Sequence, residues 1–576
     1  MSFRSTIAGW LAEETGLSRD QIETWLEIPP QQEMGDFAFP CFRLAKHLRR
    51  SPVQIAEDFV AKAGELDGID DVRAVSGYLN FYVSRGSYVA TTVARVLSVA
   101  DNLGRQQIGT GQKVVVEYSS PNIAKPFHVG HAFTTILGHA LYRLHDWLGY
   151  ETVRVNHLGD YGTQFGKLIV AWRLWGDEAA VRDNPIGELL RIYVRFHEEA
   201  QTNPDLDDQA REAFRLLEAG SPEEQALWQK FRDLSLTSFE AVYKRLGVSF
   251  DSYRGESFYS SRIPDVIDLL KKKELLVESD GAQVVMLDEY KLPPCIILKS
   301  DGTTIYASRD IAAVLYRWEQ YHFAKNIYVV GTPQALHFRQ VFAVLDKAGI
   351  AAASQCVHVG FGLVKFADRK LSTRSGDVIF LSELLEESVE KTRAIIKENA
   401  RLRQTDMCDQ EIDEVAEKVG LGAVIYTFLK NGRERDIVFS WEEMLDFDGD
   451  SAPYVQYTYA RARSILRKAD PDDLPERMVT AKQLTCLATE DEFALAKLLD
   501  GFDKAIQKAA ELYEPYLLVR QVTALARAFN KYYNHESILK TDDPALRRAR
   551  LALLQAVCQA IRVGLDLVGI SVVERM

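Results

Sequence analysis

Cysteine is scarce in this chain of 576 residues: Cys41, Cys295, Cys356, Cys408, Cys486 and Cys558 lie far apart, and no two form a C-x-x-C pair. That excludes the common zinc spacings and points to thiols kept reduced, as in a cytoplasm. Long apolar runs are also missing. No stretch approaches the ~20 residues that cross a bilayer, and Glu13 and Glu14 interrupt the opening MSFRSTIAGWLAEETGLS, which does not read as a secretory signal. Internal repeats and low-complexity tracts are absent. A cytoplasmic protein without membrane contact and without a bound metal of its own is expected. An excess of positive charge is lacking as well, the net charge being −13. A polyanion senses the field of one face, however, not the sum over the chain. Acid is concentrated between Asp177 and Gln225, while the last quarter carries Arg461, Arg463, Arg467, Lys468, Arg520, Arg527, Lys531, Arg547, Arg548 and Arg550. A local basic face is permitted.

What is present suffices for folded cores, with 47% hydrophobic residues and a length that suggests roughly three or four domains. Residues 1–108 read as a small α+β module, with helical stretches followed by a strand-like run from Val75 to Val83. The composition changes at Lys113. KVVVEY (Lys113–Tyr118) has the β-branched character of a buried parallel strand. A polar loop, SSPNIAKPFHVGH, follows; Ala132–Trp147 reads as a helix and Thr152–Asn156 as the next strand. This is a βαβ unit, the building block of a doubly wound sheet. A helical insertion at about 175–260 precedes further strand signals at Ala282–Leu287, Cys295–Leu298 and Asn326–Gly331. The spacing predicts an α/β domain over 109–358 split by that insertion, a connecting region over 359–453, and an all-helical region over 454–576.

The loop Tyr118–His131 is the most informative stretch. His128-Val129-Gly130-His131 stands where a strand ends and a helix begins, so helix N–H groups and the helix dipole face whatever the loop holds, and phosphate is the expected guest. Gly130, lacking a Cβ, leaves room for a base or ribose. Two imidazoles three residues apart at a helix start can both serve charge developing in phosphoryl chemistry. The tetrapeptide resembles the HIGH signature of class I aminoacyl-tRNA synthetases, and the longer run EYSSPNIAKPFHVGH resembles the form found in arginyl-tRNA synthetases.

The resemblance implies a second ATP motif, K-M-S-K-S. Lys370-Leu371-Ser372-Thr373-Arg374-Ser375-Gly376 matches it, and a lysine, hydroxyls and an arginine on such a loop suit closure over a triphosphate. It departs from the family at Thr373, where a second lysine is usual. Lys125, just ahead of His128, is the candidate to supply that charge from the other side. Gly331-Thr332-Pro333-Gln334-Ala335-Leu336-His337 resembles a further class I pattern, G-x-D-Q-x-x-H, with Pro333 in place of the aspartate, and adds His337 to the ATP-site candidates.

A guanidinium ligand needs carboxylates or carbonyls arranged around its N–H fork. Glu117, at the end of the first strand, and Asp310, in DGTTIYASRDIAA, are the candidate acceptors; Tyr306, one turn before Asp310, offers a hydroxyl and a ring. Asn122 suits the ligand's α-amino or carboxylate group and Gln334 another guanidinium proton. The segment Y-x-x-R-D and the places of Glu117 and Asn122 resemble the arginine-recognition elements of the family. Asn156–Phe165 resembles another of its signatures, in which Asp160 and Gln164 either shape the pocket or pin the loop.

The helical C-terminal region resembles the anticodon-binding bundle of this family; Phe529, Tyr532 and Tyr533 beside Arg527 and Lys531 have the chemistry to stack on unpaired bases, but most aromatics at helical spacing are core, and none is singled out as a base contact. The first module resembles the family's N-terminal domain, which touches the tRNA elbow. Together the resemblances imply ATP-dependent activation of L-arginine, with Mg2+, and transfer to tRNA(Arg) by a monomer, with tRNA bound before activation. Two rivals remain: a small-molecule nucleotidyltransferase with the same HIGH-type loop, and an RNA-binding scaffold that has lost catalysis.

Overall fold

The computed structural model describes residues 3–125, 127–300, 305–366, 379–403, 406–474 and 479–576. The chain forms two compact units. The first comprises Met1–Leu103, Ala462–Gly501 and Ala524–Ala560, and the second Gly104–Arg461, Phe502–Thr523 and Ile561–Met576. The C-terminal helical segment thus contributes residues to both.

In the first unit, β1 (Phe37–Pro40), β2 (Ile69–Val75) and β3 (Tyr78–Val83) form an antiparallel sheet in the order β1-β3-β2. The single strand expected over Val75–Val83 is therefore two. Ser76 and Gly77 both take positive φ, 52° and 82°, which makes the two-residue turn whose twist suits a tight hairpin. The Ser-Gly dipeptide is itself a turn signal, masked by the strand-forming residues on either side. The sheet buries Phe39, Leu79 and Phe81 with Ile7, Leu11, Leu44, Ile55 and Phe59 of the flanking helices. Phe529 and Tyr532 are fully buried in this unit, the Tyr532 hydroxyl donating to Glu492 at 3.3 Å; of the three aromatics considered for stacking on bases only Tyr533 is exposed. Helical spacing placed two of them in the core, where a base cannot reach.

The second unit is built on a parallel sheet. β4 (Lys113–Glu117) leads through the Val129–Trp147 helix to β5 (Glu151–Val155), and Val114, Val115 and Val116 of β4 are fully buried. The helical insertion follows, from Glu178–Asp183 to Glu256–Ser260. β6 (Leu276–Ser279), β7 (Ala282–Val285) and β8 (Cys295–Leu298) then form a separate antiparallel sheet. Of the later strand signals only β9 (Lys325–Val329) joins the parallel sheet, with β10 (Cys356–Val359) beyond it in the order β10-β9-β4-β5. β11 (Val364–Phe366) pairs with β12 (Ile437–Phe439). The chain runs from β4 outward to β5 and returns to β9 on the other side, so the order reverses at β4, and an open α/β sheet binds ligands beyond the strand ends at such a point. Among the described residues no helix is long and apolar enough to cross a membrane.

Candidate active site

The loop after β4 is held against local backbone preference. Ser119, Ser120 and Ala124 all adopt positive φ, 70°, 47° and 59°, a conformation that costs non-glycine residues free energy and persists only where the surroundings impose it. Those surroundings are specific. The Ser119 amide donates to Thr134 Oγ1 at 3.1 Å, its hydroxyl meets the Tyr243 hydroxyl at 2.7 Å, and the Ala124 amide donates to Ser235 Oγ at 2.9 Å. Ser235 and Tyr243 lie on the Pro222–Leu246 helix of the insertion. Asn122 bridges to Gly159, and a Cβ on that glycine would fall 2.2 Å from Asn122 Oδ1. The two loops at the ends of β4 and β5 are therefore pinned together at the candidate ligand residue.

His128 caps the Val129–Trp147 helix. Its Nδ1 accepts the Gly130 amide at 3.0 Å, and His131 Nδ1 accepts the His128 amide at 3.3 Å. The Val129 amide donates to the Ile379 carbonyl at 3.2 Å and the His131 amide to the His128 carbonyl at 2.8 Å. The amides of Val129, Gly130 and His131 are thus already paired, which corrects the expectation that helix amides receive the phosphate. Gly130 also has a different reason: a Cβ there would meet the His128 ring, with Cε1 at 2.6 Å. The two imidazoles lie 4.0 Å apart between centroids. Burial, and then the charge of Lys125, lowers the His128 pKa, while burial, with His128 next, pushes His131 down to about 3. Neutral rings whose Nδ1 accepts a hydrogen bond carry their proton on Nε2. The loop therefore offers two fixed N–H donors.

It follows that His131 does not titrate in the working range. The rate of adenylate formation is expected to show no His131 inflection between about pH 5 and pH 9, checked by a pH–rate profile. Stability behaves differently. The folded pKa of His131, about 3, lies below its ordinary value of 6.5, and His139 and His145 on the same helix are likewise pushed down by burial, to about 3 and about 4. As pH falls below 6.5 the unfolded chain takes up protons that the folded one refuses, so stability is lost from there downward. The urea midpoint should be lower at pH 5 than at pH 7.

Lys370, Ser372, Thr373 and Arg374 lie outside the described residues. The chain that follows them returns to the first signature: His128 bridges Phe380, and the Leu381 amide donates to the Phe127 carbonyl at 2.8 Å. The exit of the second motif is thereby hydrogen-bonded to the histidine loop.

The acidic candidates each meet a basic group of the chain itself. Glu117 is buried, its Oε2 accepting Arg317 Nη2 at 2.5 Å with His157 Nδ1 3.6 Å away. Asp310 Oδ2 lies 2.5 Å from His337 Nε2, which attaches His337 to the arginine candidates rather than to the histidine pair. Tyr306 is 65% exposed at the start of the Tyr306–Tyr321 helix, and Gln334 is exposed at the end of the Thr332–Gln334 turn beyond β9. Asp160 accepts the Ser257 amide at 2.9 Å and the Ser257 hydroxyl at 2.8 Å, so it pins the loop. Sequence reasoning missed Arg317, His157 and Glu256. Arg317 lies seven positions after Asp310 on the same helix, a spacing that returns it to the same face; Glu256 belongs to no motif.

Glu256 Oε2 meets Arg309 Nη1 at 3.0 Å. Burial pushes the Glu256 carboxyl up to about 7; Arg309 opposes this, and the charges of Asp310 and Asp160 add to it. Four charged groups therefore share one field beyond the strand ends.

Comparison with known proteins matches the whole chain. Residues 92–441 match the catalytic domain of class I (R) tRNA synthetases, residues 455–576 the DALR anticodon binding domain, and residues 2–83 the arginyl tRNA synthetase N-terminal domain. Arginine–tRNA ligase of Clostridium perfringens is 51% identical over 578 residues, and that of Clostridium botulinum strain 657 is 52% identical over 577, each covering 100% of both chains. The solved arginyl-tRNA synthetase of Thermus thermophilus superposes with a TM-score of 0.78 at 26% identity over 100% of both chains. That of Plasmodium falciparum superposes at 0.77 and 24% identity, covering 96% of this chain and 94% of its own, and supports the fold. With its catalytic, anticodon-binding and N-terminal portions all matched, the chain belongs to the arginyl-tRNA synthetases, of class I.

Proposed function

We propose that this chain activates L-arginine with ATP and transfers it to the 3′ end of tRNA(Arg). The observation that carries the reading is one place in the fold: two neutral imidazole donors after β4, with the carboxylates of Glu117 and Asp310 near the ends of neighbouring elements. A carboxylate oxygen of arginine attacks the α-phosphorus of ATP, the bond to the β-phosphate oxygen breaks, and pyrophosphate leaves. The Nε2–H groups of His128 and His131 and the ammonium of Lys125 face the charge that develops, with Lys370, Ser372, Thr373 and Arg374 as partners from the second motif. A hydroxyl of the terminal tRNA ribose then attacks the arginyl carbonyl and AMP departs. Positioning suffices for this step.

The arginine guanidinium lies against Asp310 and Glu117. The contacts of Glu117 with Arg317 and His157 fall on Oε2, so the ligand takes Oε1. Tyr306 and Gln334 complete the side-chain pocket, and Asn122 holds the α-amino or carboxylate end. Mg2+ enters this reading on the phosphate oxygens of ATP, the usual way that ion is brought to a phosphoryl-transfer site. The division at 108, 358 and 453 assigns the elbow of the tRNA to the first module and the anticodon to residues 454–576. A cytoplasmic monomer fits this reading.

Charging total tRNA in the presence of ATP, with each amino acid offered singly, tests it. Only arginine is expected to be esterified. Charging with another amino acid would overturn the choice of substrate, and adenylate formation without any charging would favour the nucleotidyltransferase.

A further inference from the structure

The Tyr306–Tyr321 helix carries two arginines, and each is housed like a bound guanidinium. Arg317 pairs with Glu117, and its guanidinium carbon lies 5.9 Å from the Tyr259 ring centroid and 5.5 Å from that of Tyr328. Arg309 pairs with Glu256, 5.6 Å from the Tyr161 ring and 5.5 Å from the Tyr306 ring. The second case is chemically awkward. Arg309 bears the same head group as the substrate, immediately precedes Asp310, and lies beside the ring assigned to that substrate. Among the described residues its Nε is buried without a hydrogen-bond partner, and the contact with Glu256 is the charge-assisted bond that holds the head group where it is.

We propose that Glu256 is a positioning residue that holds the Arg309 guanidinium off Asp310, so that the Asp310 carboxylate stays open to free arginine. This rests on the reading of Asp310 as the acceptor of the substrate guanidinium. His337 occupies Asp310 Oδ2, which leaves Oδ1 as the position in contention. A side chain tethered one residue away competes at the effective concentration of an intramolecular ligand, millimolar or above. Without Glu256, Arg309 is an internal competitor of its own substrate. Its positive charge, no longer offset by the ionised fraction of Glu256, also opposes entry of a cation. Burial of the pair matters here: the side chains of Arg309 and Glu256 are only 11% and 14% exposed, so water does not replace the lost carboxylate.

The test compares E256Q, E256D, E256Q/R309M and D310N in the full chain, by arginine-dependent ATP–pyrophosphate exchange with tRNA present. E256Q is expected to raise KM for arginine about tenfold or more, while KM for ATP and kcat stay within about twofold. E256D, which keeps the charge, should remain near the parent. E256Q/R309M, which removes the competitor along with its restraint, should bring KM for arginine back to within about threefold. An unchanged KM in E256Q overturns the proposal. So does a double variant as impaired as the single one, because Glu256 would then act on the ligand directly or through structure alone. Should E256Q fail to fold, the double variant, neutral at both positions, still decides by the same criterion. D310N separates this proposal from the reading beneath it: if D310N binds arginine normally, the pocket assignment fails and the proposal with it, whereas a D310N defect beside an unaffected E256Q removes the proposal alone.

Discussion

Lys125→Ala is expected to slow arginyl-adenylate formation about 100- to 1,000-fold, the range measured when one preorganised donor is removed from a developing negative charge. Equilibrium binding of arginine should change by less than about threefold, because the side chain serves the phosphates and not the guanidinium pocket. Two observations lead here. The sequence holds Thr373 where the family has a lysine, so one cation is missing from the second motif. The amides of Val129, Gly130 and His131 are paired within the chain, so the helix terminus does not make up the deficit. Lys125 is the proposed substitute, and its charge is felt by the histidine pair, lowering the pKa of both His128 and His131. ATP–pyrophosphate exchange with tRNA present measures the first effect and equilibrium dialysis with labelled arginine the second. Normal exchange by the variant would end the idea. T373K introduced into Lys125→Ala should recover part of the loss if the two positions serve the same charge, and an additive further loss would count against it.

Arg317→Met is expected to destabilise the second unit by about 3–5 kcal/mol, the cost of leaving one member of a buried ion pair alone. Glu117 would be left buried at the end of β4 without its guanidinium partner, with His157 Nδ1 3.6 Å away. The double variant Glu117→Gln with Arg317→Met should recover most of that stability, since a neutral pair of similar size carries no uncompensated charge. Urea unfolding followed by tryptophan fluorescence distinguishes the two. A single variant as stable as the parent would mean that water or His157 already satisfies Glu117. The double variant should nevertheless be poor at binding arginine, because glutamine keeps one amide oxygen but not the negative charge proposed to receive the guanidinium; stability and function part company at this residue.

Much of the catalytic architecture could be read from residues alone, for physical reasons that differ from place to place. KVVVEY could be placed in a buried parallel strand because three adjacent valines suit burial on both faces, and the loop after it stood out because histidine, glycine and proline crowd a strand-to-helix transition. AQVVML and CIIL carry the same signal and belong to a different sheet. Apolar runs of four to six residues specify strand but not partner, and pairing is decided by long-range packing. The use of the first-turn amides was not accessible either. It depends on Ile379, far along the chain, and on the orientation of two imidazole rings, neither of which spacing encodes. Glu256 was missed because a lone glutamate in DSYRGESFY has no periodic or motif context; only the fold sets it against Arg309 and beside Asp310.

The strained backbone at Ser119, Ser120 and Ala124 bears on modularity. Viewed as a parts list, the helical insertion is an accessory that interrupts an otherwise continuous nucleotide-binding fold, and a minimal catalytic core would discard it. Ser235 and Tyr243, however, are among the groups that keep the loop after β4 in a shape its own residues disfavour. The insertion is thus scaffolding for the histidine loop, and its excision would return those three residues to ordinary conformations. A pared-down or ancestral-style fragment of this enzyme would have to retain the Pro222–Leu246 helix, or obtain the same two hydroxyls from elsewhere, before its signature sequence could act as a site.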